Sequence, residues 1–248
     1  MSTIYILWLR QIKRYFRSRS RMIGSLGQPV LFLVALGFGF GPIFQKAGGG
    51  DYMQFLAPGI IAMGILFTAM FMGIEIIWDK QFGFLKETLV APVSRMSIML
   101  GRTLGGATIA LAQGIMVFLI AWAIGFRPSF GLIGVALIFM ILIAMLFTGI
   151  GTAIASVMED MQAFPLIMNF LVMPLFFLSG SFFPLSGLPS VITLIARIDP
   201  LSYGVDGLRG ALVPGSILFG FGYDFGVLGI ITLIVLLIGA YLFSKIEI

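Results

Sequence analysis

Charged side chains are scarce in this chain of 248 residues, and five of them fall in one short interval, 78–101. They are Asp79, Lys80, Lys86, Glu87 and Arg95, and long apolar segments lie on both sides. Because an ionised group is costly in hydrocarbon, the interval is predicted to lie outside the apolar layer and to present its charges to a partner. The alternative is a solvated loop that only joins two spans.

Residue types that catalysis and metal binding require are nearly missing. The chain has no cysteine and no histidine, which removes thiolate chemistry, the usual zinc ligands and the commonest general acid–base group. It also has no G-x-x-x-x-G-K-[ST] phosphate loop, and its acidic residues cluster in loops. We therefore predict that the chain is not an enzyme and has no catalytic, cofactor-binding or metal-binding residues.

Composition indicates an integral membrane protein. Sixty per cent of the residues are hydrophobic and 10% are charged, against about 25% charged in soluble domains. The length suits six spans of about 20 residues with short loops and leaves no room for a separate soluble domain. The basic residues behind the net charge of +5 flank the spans, which favours contact with anionic lipid headgroups and not with nucleic acid.

The predicted fold is an all-α polytopic membrane protein with six transmembrane helices. The spans are expected at about 22–44, 55–77, 97–125, 132–157, 163–183 and 221–243. Glu75, near the end of the second span, is expected to face water or a protein partner and not lipid. In the third span, Gly101 and Gly105 of the GRTLG sequence permit close helix packing.

An amphipathic helix is predicted before the first span, over residues 4–21. Its apolar face would hold Ile4, Leu7, Trp8, Ile12 and Tyr15, and its basic face Arg10, Lys13, Arg14, Arg17 and Arg21. This pattern is typical of an interfacial helix on an anionic leaflet, with Trp8 at headgroup depth. The alternative is a basic tail that only determines topology.

Two further segments are predicted to be short helices that do not span. Residues 84–90 read as an amphipathic helix that stops before Pro92, because proline disfavours helix at the preceding residue. In residues 184–215, an apolar run too short to cross a bilayer lies among Pro184, Pro189 and Pro200, which predicts a re-entrant helical hairpin. Its second helix carries Asp206 and Arg209 at i, i+3, where they can pair.

The distribution of Lys and Arg predicts the orientation. With six spans, eleven of the fifteen basic residues lie on the side of both termini and of the interval 78–101. Both termini are therefore expected in the cytoplasm of a cell whose plasma or inner membrane holds the protein. The hairpin is then extracellular.

Three motifs carry a resemblance to a known family. They are FGFLKETLVAPVSR before GRTLG, then FLSGSFFPLSGLP, then DPLSYGVDGLRGAL. In this order the chain resembles the permease subunit of type-2 ATP-binding-cassette (ABC) exporters, in particular the daunorubicin-resistance and multidrug branch, over nearly its whole length. One departure is the pair Trp78-Asp79, where the family more often has a charged pair such as Arg-Glu.

The resemblance implies a division of labour among subunits. A second permease copy and two cytoplasmic ATP-binding-cassette ATPase subunits are expected as partners, together with membrane lipid. A homodimer of permeases is favoured over a paired heterodimer. This chain would hold no cofactor, and ATP and Mg would bind in the ATPase subunits. The exported substrate would be hydrophobic or amphipathic: a drug, a lipid or a glycolipid.

The resemblance also implies roles for particular residues within one permease domain, residues 1–248. An ATPase-coupling surface in the loop 79–96 would comprise Phe82, Phe84, Leu85, Lys86, Glu87, Thr88, Val90, Pro92, Val93 and Arg95. A gate helix, 1–21, would use Trp8, Arg10, Lys13, Arg14, Arg17 and Arg21. An outer lid in 184–215 would use Pro184, Pro189, Asp199, Pro200, Tyr203, Asp206 and Arg209. Phe176, Phe177, Phe182 and Phe183 would line the substrate path, although aromatic clusters of this kind also occur as lipid-facing or packing groups.

A secondary transporter is the remaining alternative. It would need ionisable residues at the membrane midplane and inverted repeats. Glu75 is the one candidate for the first requirement.

Overall fold

The computed structural model describes residues 2–48, 50–84, 88, 93–185 and 189–245. The helices with full bounds are α1 (Thr3–Arg17), α2 (Arg19–Lys46), α3 (Tyr52–Phe71), α4 (Ile74–Gln81), α5 (Arg95–Ile124), α6 (Ile133–Val157), α7 (Ala163–Leu178), α8 (Ser190–Ile198), α9 (Pro200–Leu212) and α10 (Phe221–Ser244). Within the described ranges there is no strand. The predicted all-α class is therefore confirmed.

Five helical segments of the described chain are long and apolar enough to cross a membrane: α2, α3 with α4, α5, α6 and α10. The fifth predicted span, 163–183, is shorter than expected, because α7 has 16 residues and ends at Leu178. At 1.5 Å per residue it extends about 24 Å, less than the hydrocarbon thickness of about 30 Å. Gly180 follows in a left-handed conformation, with φ of 75°, which turns the chain out of the helical direction.

The second predicted span is divided at Met72-Gly73 into α3 and α4. At this break the backbone of Gly73 lies directly against the carbonyl oxygen of Gly151 in α6, where a Cβ atom would clash. Gly151 in turn lies against the carbonyl of Met70. The absence of side chains on both glycines lets the two backbones touch, and α4 continues as a separate short helix.

The helix predicted over 4–21 also ends early. α1 ends at Arg17 and α2 begins at Arg19, with Ser18 between them outside the helical region. Arg21 therefore belongs to the first turn of α2 and not to the predicted gate helix. Hydrophobic periodicity alone does not show this break, because both helices continue with mixed apolar and basic residues.

α3 is the central helix of the bundle. Sixteen of its 20 residues are buried, and it contacts α2, α5, α6 and α9. A helix that is apolar all round is expected in such a position. The other spanning helices surround it and expose apolar side chains outward, as helices do that face lipid.

The predicted outer hairpin consists of α8 and α9, which differ strongly in burial. Twelve of the 13 residues of α9 are buried, in contact with α3, α6 and α10. In α8 only Ala196 is buried, whereas Val191, Leu194 and Ile198 are exposed. α9 is thus part of the packed core, and α8 lies on its outside.

Candidate functional site

Residues 82–94, here called the connecting segment, join α4 to α5. Of the predicted coupling surface, Leu85, Lys86, Glu87, Val90 and Pro92 lie outside the described residues. Phe84 and Thr88 both have helical backbone, and the Thr88 hydroxyl donates to the Phe84 carbonyl at 2.9 Å. This bond spans one helical turn.

Two aromatic side chains at the start of the connecting segment are exposed. Phe82 is 71% exposed and Phe84 is 50% exposed, with Gly83 between them at φ of 79°. Val93, at the other end, packs partly buried against the core. Neighbouring exposed aromatic rings next to charged groups are typical of a surface that another protein covers.

The α4 end of the connecting segment is bound to the end of α6. Lys80 Nζ donates to the carbonyl oxygens of Ser156 at 2.5 Å and of Met158 at 3.1 Å. Gln81 Nε2 donates to the Glu159 carbonyl at 3.3 Å. The last carbonyls of a helix lack partners within it and carry partial negative charge, so a lysine is well suited to bind them.

The α5 end is held in the same way by a different helix. Arg95, one of the predicted coupling residues, donates from Nη1 to the carbonyl oxygen of Ser244 at 2.6 Å, and Ser244 is the last residue of α10. Ser94 caps the N-terminus of α5 by accepting from the Ser97 N–H. A displacement of the connecting segment would therefore act on α6 through one end and on α10 through the other.

Two buried carboxylates lie on α4, just before the connecting segment. Glu75 and Asp79 are 3% and 4% exposed and stand one helical turn apart. Asp79 Oδ2 accepts from Arg102 Nη2 of α5 at 2.6 Å, and Arg102 is itself only 3% exposed. A buried, hydrogen-bonded ion pair thus joins α4 to α5.

Three more arginines reach the same carboxylates from α1 and α2. Arg21 Nη1 lies 2.9 Å from Glu75 Oε1. Arg14 Nη1 lies 3.9 Å from both carboxylates, and Arg10 Nη2 lies 3.6 Å from Asp79 Oδ1. Together, Arg10, Arg14, Arg21, Glu75, Asp79 and Arg102 form what we call the arginine–carboxylate cluster.

The cluster gives different surroundings for Glu75 from those predicted, and it shows which residues Asp79 binds. The sequence predicts that Glu75 faces water or another protein, but it faces arginines of its own chain. Asp79, in the unusual Trp78-Asp79 pair, is the acceptor for α5, and Arg14 lies over the Trp78 ring at 5.5 Å. Arg102 could have indicated this buried ion pair from the sequence, because a charge within an apolar span requires a partner.

α1 packs on protein through the face that was predicted to contact lipid. Leu7 and Tyr15 are buried, and Trp8 Nε1 donates to Thr108 Oγ1 of α5 at 3.0 Å. The Tyr15 hydroxyl donates to Gln113 Oε1 at 3.2 Å. α1 therefore lies against α5. Of the predicted gate residues on its basic face, Arg10 and Arg14 join the cluster, while Lys13 and Arg17 are exposed.

Glycines of GRTLG allow this close approach, as predicted. A Cβ atom on Gly105 would lie 2.7 Å from Gln11 Oε1, and one on Gly101 would lie 3.0 Å from the Ile4 carbonyl oxygen. The small residues therefore form a smooth surface on α5 over which α1 lies.

At the opposite end of the bundle, the predicted lid residues bind backbone groups. Asp199 caps α9 by accepting from the Leu201 N–H at 2.8 Å, and burial raises the pKa of its carboxyl to about 8. Pro200 is the first residue of α9. The Tyr203 hydroxyl donates to the Arg197 carbonyl at 2.6 Å. Pro189 stands at the N-cap of α8.

The predicted pairing of Asp206 with Arg209 is wrong, because each has other partners. Asp206 accepts from the N–H of Leu218 at 2.9 Å and of Phe219 at 2.8 Å, in the link that leads to α10. Arg209 donates to the carbonyls of Phe55 and Gly180 at 3.2 and 2.8 Å, and its guanidinium lies 4.0 Å from the Phe55 ring centre. Arg209 therefore binds backbone carbonyls of α3 and of the turn after α7, and not the carboxylate one turn away on its own helix.

An apolar groove of about 500 Å³ lies between the C-terminal half of α2 and the turn after α7. Of the four predicted path residues, Phe177, Phe182 and Phe183 line it, with Pro184 beside them. Phe176 is buried and packs against Phe182 and Phe67, so it lies behind the groove wall. Tyr52 also lines the groove and donates to the Phe182 carbonyl at 3.0 Å.

Apolar helices of spanning length define an integral membrane protein. The model of the ABC-2 type transporter family matches residues 2–213. The chain therefore belongs to the ABC-2 type transporter family.

Curated relatives agree with this assignment. The chain is 29% identical over 255 residues to a putative transport permease ycf38 of Cyanophora paradoxa, covering 95% of this chain and 87% of the relative. It is 28% identical over 207 residues to nodulation protein J of Rhizobium leguminosarum bv. trifolii, covering 83% and 76%. A putative transport permease ycf38 of Pyropia yezoensis is 30% identical over 216 residues, covering 83% and 72%.

Membership of this family has direct consequences. The chain is a transmembrane permease subunit of an ABC transporter, and such subunits are not themselves catalytic. They associate with ATP-binding ATPase partners. The family assignment supports this class over the secondary transporter, and Glu75 is engaged by Arg21 within the chain.

Proposed function

We propose that two copies of this chain form the translocation path of an exporter in the plasma or inner membrane, driven by two separate ATPase subunits. The observation that carries the proposal is the connecting segment, which projects Phe82 and Phe84 outward while both its ends are bound to helix C-termini. When the ATPase displaces a segment that is held in this way, the attached helices move as rigid bodies.

In this proposal the connecting segment is the coupling surface and faces the cytoplasm with both termini. Phe82 and Phe84 insert into an apolar groove on the ATPase, and the charged residues Lys86, Glu87 and Arg95 set the orientation. The remaining predicted residues, Leu85, Thr88, Val90, Pro92 and Val93, belong to the same proposed surface. ATP and Mg bind in the ATPase subunits alone.

At the cytoplasmic entrance of the path, α1 acts as the gate helix, and its exposed Lys13 and Arg17 meet anionic headgroups. The other end of the molecule serves the exit of substrate. The groove beside Phe177, Phe182 and Phe183 is part of the path between the two copies, and its apolar lining suits a hydrophobic or amphipathic substrate. The hairpin α8–α9 covers the exit as the lid, and a homodimer supplies two of each element.

Co-purification in detergent with the candidate ATPase tests the proposal. The Phe82→Ala/Phe84→Ala variant should lose the complex of two permeases with two ATPases, because buried aromatic anchors carry most of an interface's binding energy. Phe170→Ala is the matched control, since Phe170 is 83% exposed but lies on α7, away from the connecting segment. It should leave the complex intact.

The readouts are the subunit ratio and the rate of ATP hydrolysis. Retention of a full complex by the Phe82→Ala/Phe84→Ala variant would show that the connecting segment is not the coupling surface. A parent chain that is stable and monodisperse but captures no ATPase would contradict the whole proposal.

A further inference from the structure

We propose that Glu75 and Asp79 are positioning residues of the transport cycle: they hold α1 against α5 and release it when the connecting segment moves α4. The inference rests on the proposed function for the source of that movement. The holding contact itself is a property of this chain alone and is tested separately.

α4 is placed to move as a unit. It is divided from α3 at Met72-Gly73 and leads directly into the connecting segment. Bonds across the division include three-residue steps, such as Gly73 N–H to the Met70 carbonyl and Ile76 N–H to the Gly73 carbonyl. Such short steps mark a joint in a helix where direction changes most easily.

The contacts in the arginine–carboxylate cluster fall into two groups. Arg102 and Arg21 bind their carboxylates at 2.6 and 2.9 Å. Arg10 and Arg14, the two members from α1, stand 3.6 to 3.9 Å away, with side chains 42% and 38% exposed. Longer, solvent-screened ion pairs are weaker, so a displacement of α4 breaks the contacts to α1 first and leaves α2 and α5 attached.

The surface between α1 and α5 is suited to separation. Gln11 Oε1 on α1 and Gln113 Nε2 on α5 are buried and have no hydrogen-bond partner among the residues that the structure describes. A buried polar atom without a partner is costly, and water would satisfy both atoms once the helices part. The carboxylates that attract the arginines of α1 therefore add to the hydrogen bonds of Trp8 and Tyr15 in keeping α1 closed on α5.

Charge balance makes the carboxylates decisive. Four guanidinium groups face two carboxylates in the cluster, so the site has an excess of positive charge. Neutralising Glu75 leaves Arg14 and Arg21 near each other with one acceptor fewer. Repulsion then adds to the loss of attraction, and α1 moves away from α5.

A thiol reporter measures this release, since the chain has no cysteine of its own. Gln11→Cys places a thiol in the α1–α5 contact, where Gln11 is 8% exposed. Phe16→Cys, at a position 53% exposed, reports the general reactivity of α1. Each is labelled with a maleimide in the purified parent chain and in Glu75→Gln.

In the chain alone, Glu75→Gln should raise the labelling rate of the Gln11→Cys thiol about two- to fivefold, the change expected when one partly exposed ion pair is lost. The rate for the Phe16→Cys thiol should stay the same. Glu159→Gln is the matched control, because Glu159 is an exposed acid near the same helix ends but outside the cluster. Equal rates for the Gln11→Cys thiol with and without Glu75→Gln would overturn the holding contact, and Glu75→Asp should restore most of the protection.

The second experiment uses the complex with the ATPase and the chain that keeps Glu75. The Gln11→Cys thiol should be labelled faster during ATP turnover than with ADP. If the labelling rate is the same with ATP and with ADP, although Glu75→Gln raises it, the contact is static. That result would overturn the proposal that α1 is released during the transport cycle. If no complex forms, the proposed function fails, while the experiment on the chain alone still decides whether the carboxylates hold α1.

Discussion

Both ends of the helical bundle hold buried charges, but they use them differently. In the arginine–carboxylate cluster, ionised side chains from α1, α2, α4 and α5 bind one another. At the hairpin end, Asp199, Asp206 and Arg209 each bind backbone groups. Side-chain pairs can exchange partners when a helix moves, whereas a side chain bound to a particular N–H or carbonyl holds the backbone in one arrangement.

The two ends of the bundle are therefore expected to have different mechanical roles. The cluster joins elements that must change their relative positions if ATP-driven motion is to reach α1. α9 is locked by its backbone contacts and buried among α3, α6 and α10. Within the proposed lid, we therefore expect α8, which has a single buried residue, to be the part that moves.

The largest effect is expected from breaking the buried pair of the cluster. Asp79→Ala leaves the Arg102 charge buried without its partner, which should lower the free energy of unfolding by about 3–5 kcal/mol. The double variant Asp79→Asn/Arg102→Gln should lose less than the sum of its single variants, because no uncompensated charge remains. Thermal unfolding in detergent measures both.

Glu159→Ala serves as the control for that experiment, because this exposed acid lies outside the cluster. It should change stability by less than about 0.5 kcal/mol. An Asp79→Ala variant that is as stable as this control would contradict the assignment of the pair as a structural link.

Charge-reversal variants should change stability by an intermediate amount, and the coupling between the reversed residues should differ between the two ends. At the cluster, Glu75→Arg combined with Arg21→Glu should recover part of what each single change loses, with a coupling of about 1–3 kcal/mol. At the hairpin, Asp206→Arg combined with Arg209→Asp should show a smaller coupling than at the cluster, because the two charges interact but each is hydrogen-bonded to backbone groups and not to the other.

Double-mutant cycles on the midpoint of thermal unfolding measure these couplings. Recovery at the hairpin equal to that at the cluster would mean that Asp206 and Arg209 act as a pair after all, and the contrast between the two ends would be lost.

The hairpin end should also differ from the cluster in a pH dependence that comes from Asp199. Burial raises its pKa to about 8, above its ordinary value near 4, so the folded state binds its proton more tightly than the unfolded state. Its contribution to stability is complete below about pH 4 and is lost as the pH rises to about 8, with a slope of at most about 1.4 kcal/mol per pH unit.

Asp199→Asn removes this titration and keeps a capping side chain. The unfolding temperature of the parent should therefore fall more steeply between about pH 5 and 8 than that of the variant. Parallel curves for the two proteins would show that Asp199 does not titrate in this range.

Sequence patterns predicted what depends on local composition. The apolar segments identified the long helices, with starts near those observed, and the amphipathic pattern identified α1 with its buried face. The early end of α7, the breaks at Ser18 and Met72-Gly73, and the assignment of Arg21 to α2 were not predicted. Each depends on a turn or on a close contact between two backbones, such as that between Gly73 and Gly151. Hydrophobic periodicity does not show either feature.

The sequence by itself determined that this is a helical membrane protein of the ABC-2 type, because hydrophobic length, charge placement and three motifs are local properties of the chain. Tertiary structure alone decided which charges meet. Glu75 and Asp79, one helical turn apart on α4, meet Arg10, Arg21 and Arg102 from three other helices, because a charge buried in apolar surroundings must be paired. Asp206 and Arg209, close in sequence, bind backbone groups instead, because the packing of α9 places N–H and carbonyl groups of other segments within hydrogen-bonding distance of them.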